Sequence, residues 1–345
     1  ARKPTSPATA PHPGHLQPGT LSELLAVPAP QLDQIDIALI NVLCAEGLPG
    51  AENLDPVGIV NTLDSWAGRV GSETARHFYR FRRDPSEFNN SEGYFRALML
   101  VVVTQEDFGV RYNPARIADP ASPEPNDVFF ADSRDLFLHG IASPRAMGTC
   151  ISMPVFYAAI GRRLGYPIRL ALAKNHLFAR WEGRAQGDRF NIETTGRGLT
   201  TPGDDHYATW PDPMTDQEIR SGRYLRSLAP TEEFAVFLQT RGHCLQAAGR
   251  TSEAVAAYLQ ARSRAPNWPE HDLFLAATAG SIALRVARFP AQHDRDEDAF
   301  LTPARAVTPH KQRSMELGRD PKPPAAGSFA PVPLPLLARP DPTVP

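Results

Sequence analysis

Cysteine is scarce in this chain: three residues in 345, at Cys44, Cys150 and Cys244. They form no C-x-x-C pair and no zinc-ligand spacing, and an odd number argues against a disulfide framework. Charge of one sign is missing too. The 36 Lys and Arg stand against 38 Asp and Glu, a net charge of −2, so neither nucleic acid nor an anionic membrane is an expected partner. No apolar run approaches the roughly 18 residues that a membrane-spanning helix needs, and no signal-peptide pattern is visible. The chain begins at Ala1 rather than Met. A cytoplasmic location is the expectation, with a leader removed before Ala1 left open.

Proline is what the chain has in excess, 35 residues, concentrated at the ends. Residues 1–20 and 321–345, the latter including "PVPLPLLARP", lack helical periodicity and read as extended, polyproline-like tails, either solubilising or docking on a proline-binding partner. Between them the chain is long enough for two domains or one large one, and 42% hydrophobic residues suffice for a core. The expected organisation is a proline-rich tail (1–20), a helical N-terminal region (21–112), a catalytic core (113–230), a pair of repeat-like helices (231–290) and a second proline-rich tail (291–345).

In the N-terminal region Leu32, Ile35, Leu39, Ile40, Val42 and Leu43 form a helical stripe ending near Gly47. "DPVGIVNTLDSWAGRV" and "SETARHFYRFRR" read as two successive helices, with Ser72 capping the second. Residues 89–109 read as a buried helix stopped by Gly109. Residues 113–127, rich in Pro, Asp and Asn, read as a loop leading toward Cys150. Past the cysteine, Met153, Phe156, Tyr157, Ile160 and Leu164 fall on one helix face. Pro154 is tolerated in the first turn, and Gly165 and Pro167 end the helix. Three strand candidates follow, 168–173, 176–182 and 189–195. Residues 199–230 read as irregular. Residues 232–267 read as two helices broken at Gly249, resembling one tetratricopeptide repeat, which needs neighbours to bury its faces.

Cys150 admits two readings, a small buried hydrophobe or a nucleophile at a helix N-terminus, where the free N–H groups favour a thiolate. Cys44 and Cys244 lie within apolar helical stripes and read as core. Thiol catalysis also needs a base and a group that orients it. His176 opens one strand, and Asn191 and Glu193 lie on the next. With the turn placed at Gly183–Gln186, His176 faces Glu193, Leu177 faces Ile192 and Ala179 faces Phe190. Every register with an odd sum keeps His176, Asn191 and Glu193 on one face and the apolar residues on the other. In that arrangement a carboxylate fixes the imidazole tautomer, and His176 holds Cys150 as a thiolate. The Cys150 N–H is one oxyanion donor; the second has no evident candidate. Arg145 contacts substrate or caps a loop. His139 and His206 flank the motif with no metal spacing between them. Asp204 and Asp205 read as a polar loop rather than a cation site.

Cys150 in "MGTCISMPVFYAAIGRRLGYP", His176 in "NHLFARW" and Glu193 in "RFNIETT" come in the order of the transglutaminase-like superfamily. With the repeat-like tail, the chain resembles its SirB1-type bacterial branch over residues 30–270. The resemblance implies an α+β fold with a papain-like core, in which the cysteine helix packs on a small antiparallel sheet. It also implies acyl transfer from an amide or peptide bond through a thioester, with no cofactor and a protein or peptide substrate. Water as acceptor makes a protease or deamidase; an amine makes a cross-linking enzyme. The superfamily mostly carries Asp where this chain has Glu193, and Asn191 is the alternative orienter, as Asn is in papain-like proteases. The competing expectation is a catalytically silent transglutaminase-like scaffold that binds protein partners through its repeat-like helices and proline-rich tails.

Overall fold

The computed structural model describes residues 16–117, 126–183, 188–288 and 297–317. Most of the first tail and all of 321–345 lie outside them, so their polyproline reading is not addressed by the fold.

In chain order the N-terminal region forms α1 (Leu21–Ala26), α2 (Ile37–Leu43), α3 (Pro56–Arg83) and α4 (Glu92–Glu106). The stripe beginning at Leu32 is not one helix. Residues 29–34 wind as a 3-10 helix, and Asp36 starts α2 afresh by accepting from the Ala38 N–H. The two helices expected over 55–83 are a single one, capped by Asp55. Ser72 does not cap. Its hydroxyl donates back to the Gly68 carbonyl at 2.9 Å, a local bond that leaves the helix unbroken. The helix over 89–109 forms as expected, with Ser91 as its cap and Gly109 at φ +67° beyond it.

The middle of the chain carries β1 (Arg111–Tyr112), α5 (Asn126–Phe129), α6 (Leu138–Ile141), β2 (Met147–Gly148) and α7 (Ser152–Arg163). It continues with β3 (Ile168–Ala173), β4 (His176–Glu182), β5 (Arg189–Ile192), α8 (Asp204–Thr209) and α9 (Asp216–Arg220). The segment expected to be irregular thus contains two short helices. β1 and β2 pair in parallel, and β3, β4 and β5 form an antiparallel sheet in that order. Every residue from Ser152 to Gly161 is buried, because α7 is enclosed by α2, α3, α4 and α6 and lies on β3 and β4. Gly161 allows that close approach, since a Cβ there would stand 2.4 Å from Ile168 Cδ1. The architecture mixes helices with two small sheets, as the α+β class requires.

The C-terminal part comprises α10 (Pro230–Ala247), α11 (Thr251–Arg264), α12 (Pro269–Arg288) and α13 (Glu297–Glu316). α10 and α11 break at Gly249, φ +72°, and α12 packs on α11. α13 corrects the expectation of a tail from residue 291. Pro303 and Pro309 speak against a helix, yet one forms and docks on α12. His310 Nδ1 lies 2.7 Å from Asp272 Oδ1, and Arg313 lies within 3.6 Å of the same buried carboxylate. Arginines tie this region to the first helices. Arg241 donates to the carbonyls of Cys44 and Glu46, Arg250 to that of Gly47, and Arg264 to those of Leu25 and Val27. These carbonyls follow or end short helices and lack helical partners. One hydrophobic cluster runs from Leu24 through Val103, Val155 and Leu238 to Leu275, so the core is continuous across the boundaries drawn at 112 and 230.

Two glycines separate packing from propensity. A Cβ on Gly242 would stand 2.3 Å from the ring of buried Tyr258, whereas one on Gly68 would meet nothing within 4 Å. Gly68→Ala is expected to stabilise by about 0.5–1 kcal/mol through helix propensity. Gly242→Ala is expected to destabilise by roughly 1–2 kcal/mol through overpacking. Urea unfolding of both variants checks the opposite signs.

Candidate active site

Two strand ends and one helix start build the site. At the helix start, Met153 N–H donates to the Thr149 carbonyl at 2.9 Å and Ser152 Oγ accepts from the Thr149 N–H at 3.0 Å, an exchange related to a capping box. Cys150 sits inside that turn. Both hydroxyls, Thr149 Oγ1 and Ser152 Oγ, donate to the Asp135 carbonyl at 2.9 and 2.8 Å. The Asp135 side chain is itself buried and accepts from Asn113, Arg116 and Arg145, each at 2.8 Å. Arg145 therefore belongs to this anchor. No feature of the sequence reading marked Asp135, because its role exists only once residues 113, 116 and 145 converge on it.

The hairpin pairs Ala179 with Ile192, Arg180 with Asn191 and Trp181 with Phe190. This register is two residues from the expected one, with Gly183 N–H donating to the Asp188 carbonyl. Its parity is odd, so the sorting of faces holds. Leu177, Ala179, Trp181 and Ile192 join the main core, while Ala171, Ala173 and Phe178 form a second small cluster with Tyr207. Because of the two-residue shift, Glu193 is level with Phe178 rather than His176, and the histidine reaches it diagonally. Asn175, at φ +59°, turns the chain from β3 into β4 immediately before His176, and its amide donates to Asp212 at 2.6 Å.

His176 Nε2 lies 2.8 Å from Glu193 Oε2. Both side chains are fully buried. Glu193 Oε2 also accepts from the Tyr207 hydroxyl at 2.9 Å. Oε1 accepts from the N–H of Thr194 and of Thr195, both at 2.9 Å, and from the Thr195 hydroxyl at 2.6 Å. Burial by itself raises a carboxyl pKa. Here the adjacent His176 and the Thr195 donors outweigh it and hold Glu193 down at about 2. An ionised carboxylate only accepts, so His176 Nε2 carries a proton and donates it to Glu193. Nδ1 is buried and makes no hydrogen bond. The ring stacks at 5.9 Å on Tyr207 and meets Trp210 edge-on at 4.7 Å.

Asn191 is not placed to orient the histidine. Its Oδ1 accepts from Arg180 Nε at 2.7 Å, and its Nδ2 donates to the Pro202 carbonyl and to Asp204 at 2.9 and 2.8 Å. Asp204 likewise serves buried Arg180. His206 packs on Trp210 at 5.3 Å, while His139 bonds Ser133 at 3.2 Å. Among the described residues no group of three or more His, Cys, Asp or Glu could hold a metal ion.

Cys150 is 1% exposed. Burial, and then the Glu193 charge, push its thiol well above the usual range. Both effects act against the resting thiolate expected from the helix-start position. Desolvation outweighs the effect of the helix terminus. Cys44 and Cys244 are buried in the core, as expected, and no cysteine is disulfide-bonded.

A cleft of about 400 Å³ opens beside the site, lined in part by Gln105, Arg111, Tyr112, Thr195 and Arg197. Thr195 belongs to both cleft and site, through its bonds to Glu193. Gln105 ties the cleft wall together by bonding the Gly196 carbonyl and the Gly198 N–H. Another cleft, about 430 Å³ between Arg262 and Arg313, contains none of these residues.

The depressed Glu193 carboxyl makes a pH prediction. Its folded-state pKa lies below its unfolded value, so its stabilisation is present above about pH 4.5 and is lost as the pH falls toward 2. The urea midpoint of the native protein should fall across that window, and the fall should be shallower in Glu193→Gln. Identical pH dependence in the two proteins would contradict the assignment.

No protein-family model matches this chain, and no curated protein or solved structure matches it either.

Proposed function

We propose that the chain is a thiol-dependent acyl-transfer enzyme with a transglutaminase-like, papain-like core, using Cys150 as nucleophile, His176 as base and Glu193 as orienter. The observation that carries this reading is the buried Nε2–H···Glu193 bond with an unpaired Nδ1 on the same ring. The ring is held through one nitrogen, and the other has no competing partner.

In the proposed reaction His176 Nδ1 takes the Cys150 proton as the sulfur attacks the carbonyl carbon of an amide. The C–S bond forms and the carbonyl π pair moves onto oxygen. Collapse of that oxyanion breaks the C–N bond, and the leaving amine takes the proton from His176. The thioester then yields its acyl group to water or to an amine, with His176 accepting a proton from the acceptor. Glu193 keeps the ring aligned and stabilises the imidazolium in each half. No cofactor enters this scheme. Proteins or peptides are the proposed substrates, and the helices α10 and α11, with their tetratricopeptide-like break, are a proposed partner surface.

One observation favours the scaffold reading: the thiol is buried, and burial pushes its pKa up. Exposure of the native protein to p-nitrophenyl acetate separates the two. The enzyme reading expects acetylation at Cys150, found by mass spectrometry, and release of the acetyl group to water or to added hydroxylamine. Acylation should vanish in Cys150→Ala and slow roughly 10²–10⁴-fold in His176→Ala. Glu193→Gln should slow it strongly, and Asn191→Ser much less per unit of folded protein. Absence of acylation at Cys150 in the native protein would leave the scaffold.

A further inference from the structure

We propose that the Tyr112 hydroxyl is the second oxyanion donor, acting beside the Cys150 backbone N–H. The inference rests on the acyl-transfer reading and names a catalytic residue for it.

The placement comes from main-chain pairing. β1 and β2 put Tyr112 level with Gly148, two residues before the cysteine, and Asn113 N–H donates to the Gly148 carbonyl at 2.8 Å. Asp135 locks that register from both sides. Its carboxylate holds Asn113 and Arg116 beyond Tyr112, and its carbonyl holds Thr149 and Ser152 around Cys150. Tyr112 is half-buried and lines the cleft beside the site, so its ring lies between solvent and the buried cysteine turn.

The Cys150 N–H donates toward the Tyr112 hydroxyl oxygen, so an entering carbonyl oxygen takes over that N–H and comes to lie beside the hydroxyl. That N–H is the donor that faces a carbonyl oxygen once sulfur has attacked the carbon, because it belongs to the nucleophile's own residue at a helix start. The Tyr112 proton is directed to the Arg116 carbonyl at 3.3 Å, a long bond and therefore a weak one. Rotation about the C–O bond turns this proton toward an oxyanion that shares the Cys150 N–H. Burial and the nearby Cys150 and Glu193 raise the phenol pKa well above its ordinary value, which keeps the group a donor across the working pH range. The donor was not legible in the sequence because 38 positions separate it from the cysteine.

Two probes of the same thiol test the assignment in native protein and Tyr112→Phe. p-Nitrophenyl acetate acylates sulfur through an oxyanion. Iodoacetamide alkylates it at a CH₂ with loss of iodide, and no oxyanion forms. The readout is the acylation rate divided by the alkylation rate at Cys150, so a general change in access or folding cancels. A drop in that ratio of about 100-fold, as for removal of one oxyanion donor, is the expected result. A ratio within threefold of native overturns the role of Tyr112 and leaves the acyl-transfer reading standing. Failure of native Cys150 to acylate at all removes that reading, and this inference with it.

Discussion

The site depends on one buried negative charge. An isolated carboxylate in a dry interior is costly enough that it ordinarily takes up a proton. Glu193 stays ionised because five donors converge on it: two N–H groups, the Thr195 and Tyr207 hydroxyls and the His176 ring. The donors come from three separate elements. Thr194 and Thr195 follow β5, Tyr207 is presented by α8, and His176 by the turn at Asn175. The turn, the strand end and α8 therefore hold their relative positions because a charge between them demands it. Replacing the carboxylate by an apolar side chain would leave a set of buried donors unpaired.

Cys150 is governed by a second buried charge. Asp135 carries no site chemistry of its own, yet its carboxylate and carbonyl fasten the strand that bears Tyr112 to the turn that bears the thiol. Two-residue strands such as β1 and β2 have little stability of their own. Their pairing persists because Asn113, Arg116 and Arg145 all terminate on Asp135.

What the sequence reading reached follows from this division. The helix after Cys150 and the strands β3 and β4 are written in local periodicity, and β5 ends three residues short of its predicted span. The sharing of a face by His176 and Glu193 needed only strand parity, which survives a two-residue slip. The exact partner did not survive it, because the turn closes on Gly183 and Asp188 rather than within the expected loop. Ser72 failed as a boundary marker because a hydroxyl inside a helix satisfies itself on the preceding turn. α13 was missed because its prolines are a local signal, whereas its docking through His310 and Arg313 onto Asp272 is not. Asp135 and Tyr112 were missed for the same reason, and the upward push on the Cys150 thiol pKa depends on burial that no short window encodes. Asn191 was a sound candidate by residue type, but the neighbouring Arg180, on the same strand face, claims its carbonyl.

The same carboxylate that disfavours a lone thiolate favours the proton transfer proposed here. Before transfer the group consists of a thiol, a neutral imidazole and Glu193 as an anion; afterwards it is a thiolate, an imidazolium and the same anion, so the net charge is unchanged. The imidazolium touches Glu193 at hydrogen-bond distance, whereas none of the five donors to Glu193 is the thiol. Attraction falls with distance, so the gain at the ring exceeds the repulsion felt at sulfur. A low-dielectric setting enlarges both terms and therefore their difference. Ionising Cys150 alone into this site is unfavourable; moving its proton onto His176 is the form of ionisation that the charge arrangement supports. In the proposed reaction such a nucleophile ionises only as its proton passes to His176.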